Sequence, residues 1–369
     1  MTKIELLKAQ DIDELIWLKL KRLTSVKLCE NILKIKAQDQ KKTIEASIIQ
    51  NKSIGMSSSI ESSINYWNFK TDSLNLKILS RYYALLHMTI AEQVSSIKNT
   101  DGLSEIQKYT EVGHGLSNIK DENNDFPGNY YISLLKGGYF HSYSKFLGQR
   151  KIINNIAFDK KPKKYSTLSD QEKDKLISLV SLLRRIPELR PVIYEYLGLN
   201  PLSFHVIYDH LRNNTIVAPK DTKKTLLKLK PENADISRYK YSELNWKFKF
   251  VKIEEDGFIV EYEHSTGKFW HQYLNLYHSN YCGSSYILPI KGIQDPILIN
   301  LMILYSLSII VRYLPNLWYE IYHGELDHIG SLIDYYISIF DHVMPLTMLE
   351  RITDTKIDVN LPGTMNSPI

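Results

Sequence analysis

A chain of 369 residues with 43% apolar and 24% charged side chains is too evenly mixed to be disordered or fibrous, and it can bury the core of one large domain or two ordinary ones. Lys and Arg outnumber Asp and Glu by 46 to 41, a formal +5, which permits an anionic partner without demanding one. Its two cysteines, Cys29 and Cys282, are far apart and fit no ligand spacing, which argues against a disulfide framework and against a zinc site.

Met1 to Gln10 mixes acidic and basic residues and lacks an apolar signal core, so export is not expected and the cytoplasm is. The uncharged, strongly apolar stretch Pro296 to Val311 is shorter than the roughly 20 residues a bilayer helix needs and reads as a buried core helix, so no membrane partner is expected. Tyrosine is over-used, with 25 copies, several inside helical patterns such as Tyr82, Tyr83, Tyr313, Tyr319, Tyr322, Tyr335 and Tyr336. Half-buried packing with the hydroxyl at the rim is the ordinary reason, and base stacking is the sharper alternative.

In chain order, apolar residues recur at helical spacing from Ile12 to Ile49, which predicts one or two amphipathic helices. Ser57, Ser58 and Ser59 then look like an N-cap for a helix to about Lys70 that carries Ile60, Ile64, Tyr66 and Trp67. The next helix, about Leu74 to Ile97, is apolar on nearly every side and belongs in the middle of a bundle. From Asn99 to Lys164 the periodicity weakens and glycines dominate, as in a long functional connection. Its densest charge, Lys160, Lys161, Lys163 and Lys164 around Pro162, reads as a solvated loop, with a phosphate-contacting patch as the alternative. Helices are expected at Ser169 to Arg185, Glu188 to Leu197 and Pro201 to Asn213, with a capping box at Ser169 and Glu172 and with Pro201 in a first turn. Short alternating runs from Thr222 to Ile290 predict a small β insertion, with a hairpin around Glu255, Asp256 and Gly257 between Trp246 and Tyr262. Helices then resume at Asp295 to Tyr313, Pro315 to Tyr322, Gly324 to Phe340 and Pro345 to Thr353, and the tail after Asp358 should fray. The expected fold is mainly α, with an N-terminal helical segment (1–56), a bundle's first part with the Gly-rich connection (57–221), the β insertion (222–290), completing helices (291–358) and a tail (359–369).

Candidate chemistry falls in three places. Arg81 and His87 share one helix but stand about 120° apart around it, so a single site needs two chains or a helix that starts near Arg81; a rim arginine and a hydrogen-bonded core histidine is the plainer reading. Gly113-His114-Gly115-Leu116-Ser117 sets an imidazole between two glycines that allow close backbone approach, which suits a ligand-holding loop or an ordinary turn. Arg312, followed by Pro315 and Trp318, is placed to bind a helix-end carbonyl, to stack on Trp318 or to grip a phosphate. No HExxH set, Walker lysine loop, GxGxxG after a strand or GxSxG elbow is present, which disfavours zinc proteolysis, P-loop hydrolysis, Rossmann redox chemistry and α/β-hydrolase chemistry. No cofactor and no metal are expected.

Taken in order, Ile64-Asn65-Tyr66-Trp67, Arg81-Tyr82-Tyr83-Ala84-Leu85-Leu86-His87, the Gly113 to Ser117 loop, Leu182 to Leu189 and Val311 to Trp318 resemble the YaaC-like family over roughly Ser59 to Glu350. The tyrosine-rich helix and the Gly-His turn also resemble the first half of HEPN domains, helical bundles found in toxins, phage-defence proteins and RNA-processing nucleases. That resemblance implies a homodimer whose Arg81 holds a scissile RNA phosphate while His87 moves a proton, without a metal. Two features depart from the HEPN pattern: Arg81 is early and followed by Tyr82, and the late Arg312 has its next histidine, His323, eleven residues on. The expected function is therefore an HEPN-like protein that binds or cleaves RNA in a toxin or defence setting. Arg81, His87, His114 and Arg312 are the catalytic candidates, and Tyr82, Gly113, Gly115, Ser117 and Trp318 the substrate contacts. The alternatives are an interaction protein that docks a protein partner and a small-ligand binder around the Gly-His-Gly turn.

Overall fold

The computed structural model describes residues 3–208, 224–232, 236–239, 248–263 and 276–360. Two amphipathic helices, α1 (Ile12–Arg22) and α2 (Val26–Asp39), lead into a long antiparallel pair, α3 (Ala46–Trp67) and α4 (Leu74–Ser95). Ser57 to Ser59 do not start a helix but lie in the middle of α3. The buried serines of α3 allow close packing: Ser63 donates its hydroxyl to the Ala84 carbonyl on α4 at 2.8 Å, Ser57 to Thr24 at 2.6 Å, and Ser53 and Ser59 to their own preceding turn. Helix α4 is buried on almost every side.

Against α4 pack α11 (Pro296–Tyr313) and α13 (Asp327–Thr353), joined by α12 (Pro315–His323). Asp295 caps α11 by accepting from the backbone N–H groups of Ile297 and Leu298. By length and composition α11 could span a bilayer, yet 72% of it is buried inside the protein. The break expected before Pro345 does not occur, and α13 runs through the proline as one helix. Pro345 removes one backbone donor, and it sits buried where surrounding packing holds the helix together.

The weakly periodic connection proves to be structured. It forms α5 (Leu103–Glu111), the hairpin β2 (Leu116–Lys120) and β3 (Tyr130–Leu134), then α6 (Tyr139–Phe146) and α7 (Arg150–Ile156), with the lysines of 160–164 exposed in the loop beyond. The helix expected over Ser169 to Arg185 is divided into α8 (Asp170–Lys173), strand β4 (Ile177–Ser178) and α9 (Leu179–Leu183), although the Ser169 and Glu172 capping box is formed. Helix α10 (Arg190–Leu197) follows.

Pro201 opens no helix. Ser203–Tyr208 is strand β5, because Phe204 and its β-branched neighbours fit between two partner strands; residues 209–213 of that expected helix lie outside the described residues. With β6 (Lys224–Lys230), β7 (Lys249–Glu254), β8 (Gly257–Glu263), β9 (Tyr277–Ser279) and β10 (Gly283–Ile287), it makes an antiparallel sheet ordered β7-β8-β6-β5-β10-β9. The β7–β8 hairpin is the one expected at Gly257, while Trp246 and the start at Thr222 lie outside the described residues. The sheet therefore begins before the expected 222 boundary, just as α3 crosses the one at 56. The Leu182 to Leu189 segment stitches this sheet to the helices: Arg185 donates to the Leu288 and Pro289 carbonyls, and Arg184 to Asn200. At the end of the chain, Thr355–Asn360 forms β11, paired in parallel with β1 (Lys3–Lys8), where fraying was expected; 361–369 lie outside the described residues.

The α3–α4 pair leaves no spare room beside α5. A Cβ at Gly55 would stand 2.9 Å from Leu103 Cβ and 3.3 Å from Val94 Cγ1. Gly55→Val should therefore cost about 1–3 kcal/mol of stability, read as an earlier midpoint in urea unfolding. An unmoved midpoint would mean that α5 yields freely.

Candidate functional site

The site starts from a crossing of glycines. Gly113, Gly115 and Gly138 all have positive φ, a region that costs a side chain dearly. A Cβ on Gly115 would be 2.7 Å from the Gly137 oxygen, and one on Gly138 would be 2.6 Å from the Gly113 oxygen. This closeness lets the carbonyls of Gly113 and His114 accept from the Tyr139 and Phe140 N–H groups, two of the unpaired donors that begin α6. The loop is thus a helix-end support that also fixes where the His114 side chain emerges.

That side chain meets α4 and α11. His114 Nδ1 is 2.8 Å from the Tyr82 hydroxyl, and its ring lies 5.5 Å from the Tyr82 ring and 5.7 Å from that of Tyr305. The Tyr305 hydroxyl donates to the Leu116 carbonyl at 2.8 Å, which locks β2 to α11. Two turns along α11 from Tyr305, Arg312 is half-buried. Its Nε donates to the Ser308 carbonyl at 3.0 Å, and its guanidinium lies 5.1 Å over the Tyr313 ring. Among the described residues Arg312 has no carboxylate partner, and His114 Nε2 makes no hydrogen bond. Burial, and then the Arg312 charge, hold the His114 imidazole below the usual histidine range. Burial also drives the Tyr82 phenol far above its ordinary range, so it stays protonated beside the ring. The chemical result is a neutral imidazole, its Nε2 unbonded among the described residues, within the electrostatic reach of a cation that has no carboxylate partner among them.

From this point a run of rings continues along the surface. Tyr82 meets Tyr83 edge-on at 5.3 Å, Tyr83 stacks on Tyr66 at 5.4 Å, and Tyr66 stacks on His87 at 5.6 Å. His87 therefore belongs to the same face, but at its far end. Burial lowers its pKa as well.

Arg81 is not part of this face. Its Nε and Nη2 grip both carboxylate oxygens of Asp341 on α13 at 2.6 and 2.7 Å, and Nη1 donates to the Trp67 carbonyl. A guanidinium buried and fully engaged in this way has nothing left for a phosphate. Ser117 is likewise a packing residue, buried in β2 on the sheet face opposite Asn118, which reaches Ser306 on α11. Trp318 is buried and stacks on Tyr322, while Arg312 lies over Tyr313 instead. The sequence reading missed Tyr305, Tyr313 and Tyr83 as neighbours of the site. The signal for Tyr305 was its spacing of seven residues from Arg312, which puts both on one face of α11.

Two measurements check these assignments. Arg81→Ala should cost about 2–4 kcal/mol in denaturant unfolding, because it strands a partly buried carboxylate, and Arg81→Lys should recover only part since it lacks the planar fork. A loss no larger than that of a surface arginine would remove Arg81 from the core. In NMR titration His114 should titrate below free histidine, and Arg312→Ala should move it upward. A lowered folded pKa means that the stability His114 contributes is present above the unfolded value and is lost as pH falls toward the lowered one; a His114 that titrates like free histidine would contradict the burial.

The chain matches the family model described as YaaC-like Protein over residues 21–352, a span that holds every residue of the face. No curated protein and no solved structure gives a match.

Proposed function

The chain belongs to the YaaC-like protein family, and we propose that it binds single-stranded RNA along the face from Arg312 and His114 to Tyr66 and His87. The observation that carries this reading is Arg312, a half-buried cation without a carboxylate partner among the described residues, whose charge reaches His114. A phosphate there satisfies both groups. Tyr313, under the Arg312 guanidinium, and Tyr66, beyond Tyr83, are exposed rings, and aromatic faces of this kind take bases by stacking without strong sequence preference. The choice of RNA rests on the resemblance of the α4 motif and the Gly-His turn to HEPN domains.

Binding is favoured over cleavage by the count of proton-transfer groups. Metal-free cleavage calls for an acid and a base flanking one phosphate. Among the described residues the face offers His114 alone within reach of the Arg312 charge, because Tyr82, Tyr83 and Tyr66 separate His114 from His87. A second copy of the chain would have to bring the other, in a homodimer.

The test is fluorescence anisotropy with a labelled single-stranded RNA and the matching DNA over a range of salt. Arg312→Ala should weaken RNA binding about tenfold and lower the salt slope by about one phosphate. Tyr66→Ala should weaken it by a similar factor, about tenfold, through lost stacking. Absence of saturable RNA binding at low salt, equal affinity for the DNA, or an Arg312→Ala protein that binds as well as wild type would each sink the reading. RNA that is cut by wild type and spared by His114→Ala would make the face a nuclease site.

A further inference from the structure

Away from the aromatic face, the surface opens into a cleft of about 1050 Å³ between α2 and the corner where α13 passes into β11, with Tyr277 and His278 of β9 on one wall. A space of this size, where the six-stranded sheet meets the helices, is typical of small-molecule sites. Helix α2 explains its lining. One stripe of α2, Cys29, Leu33 and Ala37, is buried in the core. A second, Leu28, Ile32 and Ile35, repeats at helical spacing along the cleft, and Ile35 remains 45% exposed. The sequence has thus made α2 apolar on two sides; the described chain buries the first and leaves Leu28 and Ile32 half-buried and Ile35 exposed on the second.

The charges in the cleft are unevenly matched. Its acids are mostly neutralised by neighbours: Glu5 by Lys19 at 2.6 Å, Asp354 by Lys36 at 3.2 Å, Asp295 by Arg351 at 3.0 Å and Glu350 by Lys356 at 3.1 Å. Lys36 is buried at the floor, where its ammonium also donates to the Ile352 and Ser95 carbonyls. Arg22 and Lys98, by contrast, line the cleft with no acidic partner among the described residues, and Asp39 is the acid without a cation. An incoming molecule meets an apolar strip, two free cations, and scattered polar groups such as Asn31, Gln40 and Asp39.

We propose that this cleft binds a nucleoside phosphate, with base and sugar against the Leu28, Ile32 and Ile35 stripe and the phosphate at one of its two unpaired cations, Arg22 or Lys98. A pure hydrocarbon would strip water from the amide and carboxylate groups without replacing their hydrogen bonds. Inorganic phosphate would leave the apolar stripe wet. A nucleoside phosphate meets all three demands: an apolar planar body, an anion for the cations, and sugar hydroxyls that donate to Asp39. The proposal shares no residue with the RNA face and stands or falls without it.

Isothermal titration calorimetry on the full chain, with AMP and ATP as probes and adenosine, inorganic phosphate and octanoate as comparisons, tests the assignment. AMP or ATP should bind saturably. The Arg22→Glu, Lys98→Glu double variant, whose changes are on exposed side chains, should weaken that binding by at least about tenfold through charge reversal, and Ile32→Asp should abolish it. Circular dichroism on each variant reports whether the fold is kept. Arg312→Ala should bind nucleotide as wild type does, so that failure of the RNA reading and failure of this one are told apart. No saturable heat with either nucleotide, undiminished binding by the folded double variant, or tighter binding of octanoate than of AMP would overturn the proposal.

Discussion

The arrangement of the helical core depends on one buried carboxylate. Glu92, near the end of α4, accepts from Arg351 Nε on α13 at 2.9 Å and from the Tyr143 hydroxyl on α6. The same guanidinium donates to Asp295, the residue that caps α11, at 3.0 Å. Four elements far apart in sequence are thereby tied at one point. Burial holds the Glu92 carboxyl above its usual range against the downward pull of Arg351; the group is tolerated there because Arg351 Nε and the Tyr143 hydroxyl both donate to it. Such a cluster adds little to stability compared with apolar packing, but loss of one member would strand the others, so it specifies a single relative placement of α4, α11 and α13.

That placement is what assembles the aromatic face. Tyr82 is supplied by α4, Tyr305 and Arg312 by α11, and His114 by a loop whose carbonyls begin α6. Helix α6 returns to α4 through its tyrosines: the Tyr139 hydroxyl bonds Thr89 and Gln93, one turn before Tyr143 reaches Glu92. The circuit closes on itself, from the glycine crossing through α6 and α4 back to the imidazole. Much of the tyrosine excess finds its reason here, with rings filling apolar space and hydroxyls serving as struts between helices.

Local signals revealed the parts whose environment is local. The all-round apolar α4, the α11 helix behind Asp295, the Ser169 capping box and the hairpin at Gly257 follow from periodicity and turn chemistry within a few residues. What stayed hidden depends on distant partners. Ser57 to Ser59 look like a cap until Thr24 is present to take the Ser57 hydroxyl and the Gly55 carbonyl that of Ser59, and Ser203 to Tyr208 is a strand only because β6 and β10 flank it. Thr355 to Asn360 pairs with residues at the opposite end of the chain. In the same way, Arg81 looks like a phosphate grip until Asp341, 260 residues on, is seen to occupy it.

The arginines show why residue type alone misdirects and what replaces it. Arg81 gives its fork to Asp341, Arg185 gives its donors to the Ser181, Leu288 and Pro289 carbonyls, and Arg351 divides its own among Glu92, Asp295 and Tyr143. These are cations whose charge is spent on holding elements together. Among the described residues Arg312 bonds only Ser308, one turn back on its own helix, and its field falls instead on His114, Tyr82 and Tyr305. A guanidinium anchored to its own helix keeps its position whether or not a ligand is present, and an uncompensated charge in a half-buried setting gains most from an incoming anion. Pre-positioning and residual charge, which only the fold can reveal, separate Arg312 from the arginine that the motif singled out.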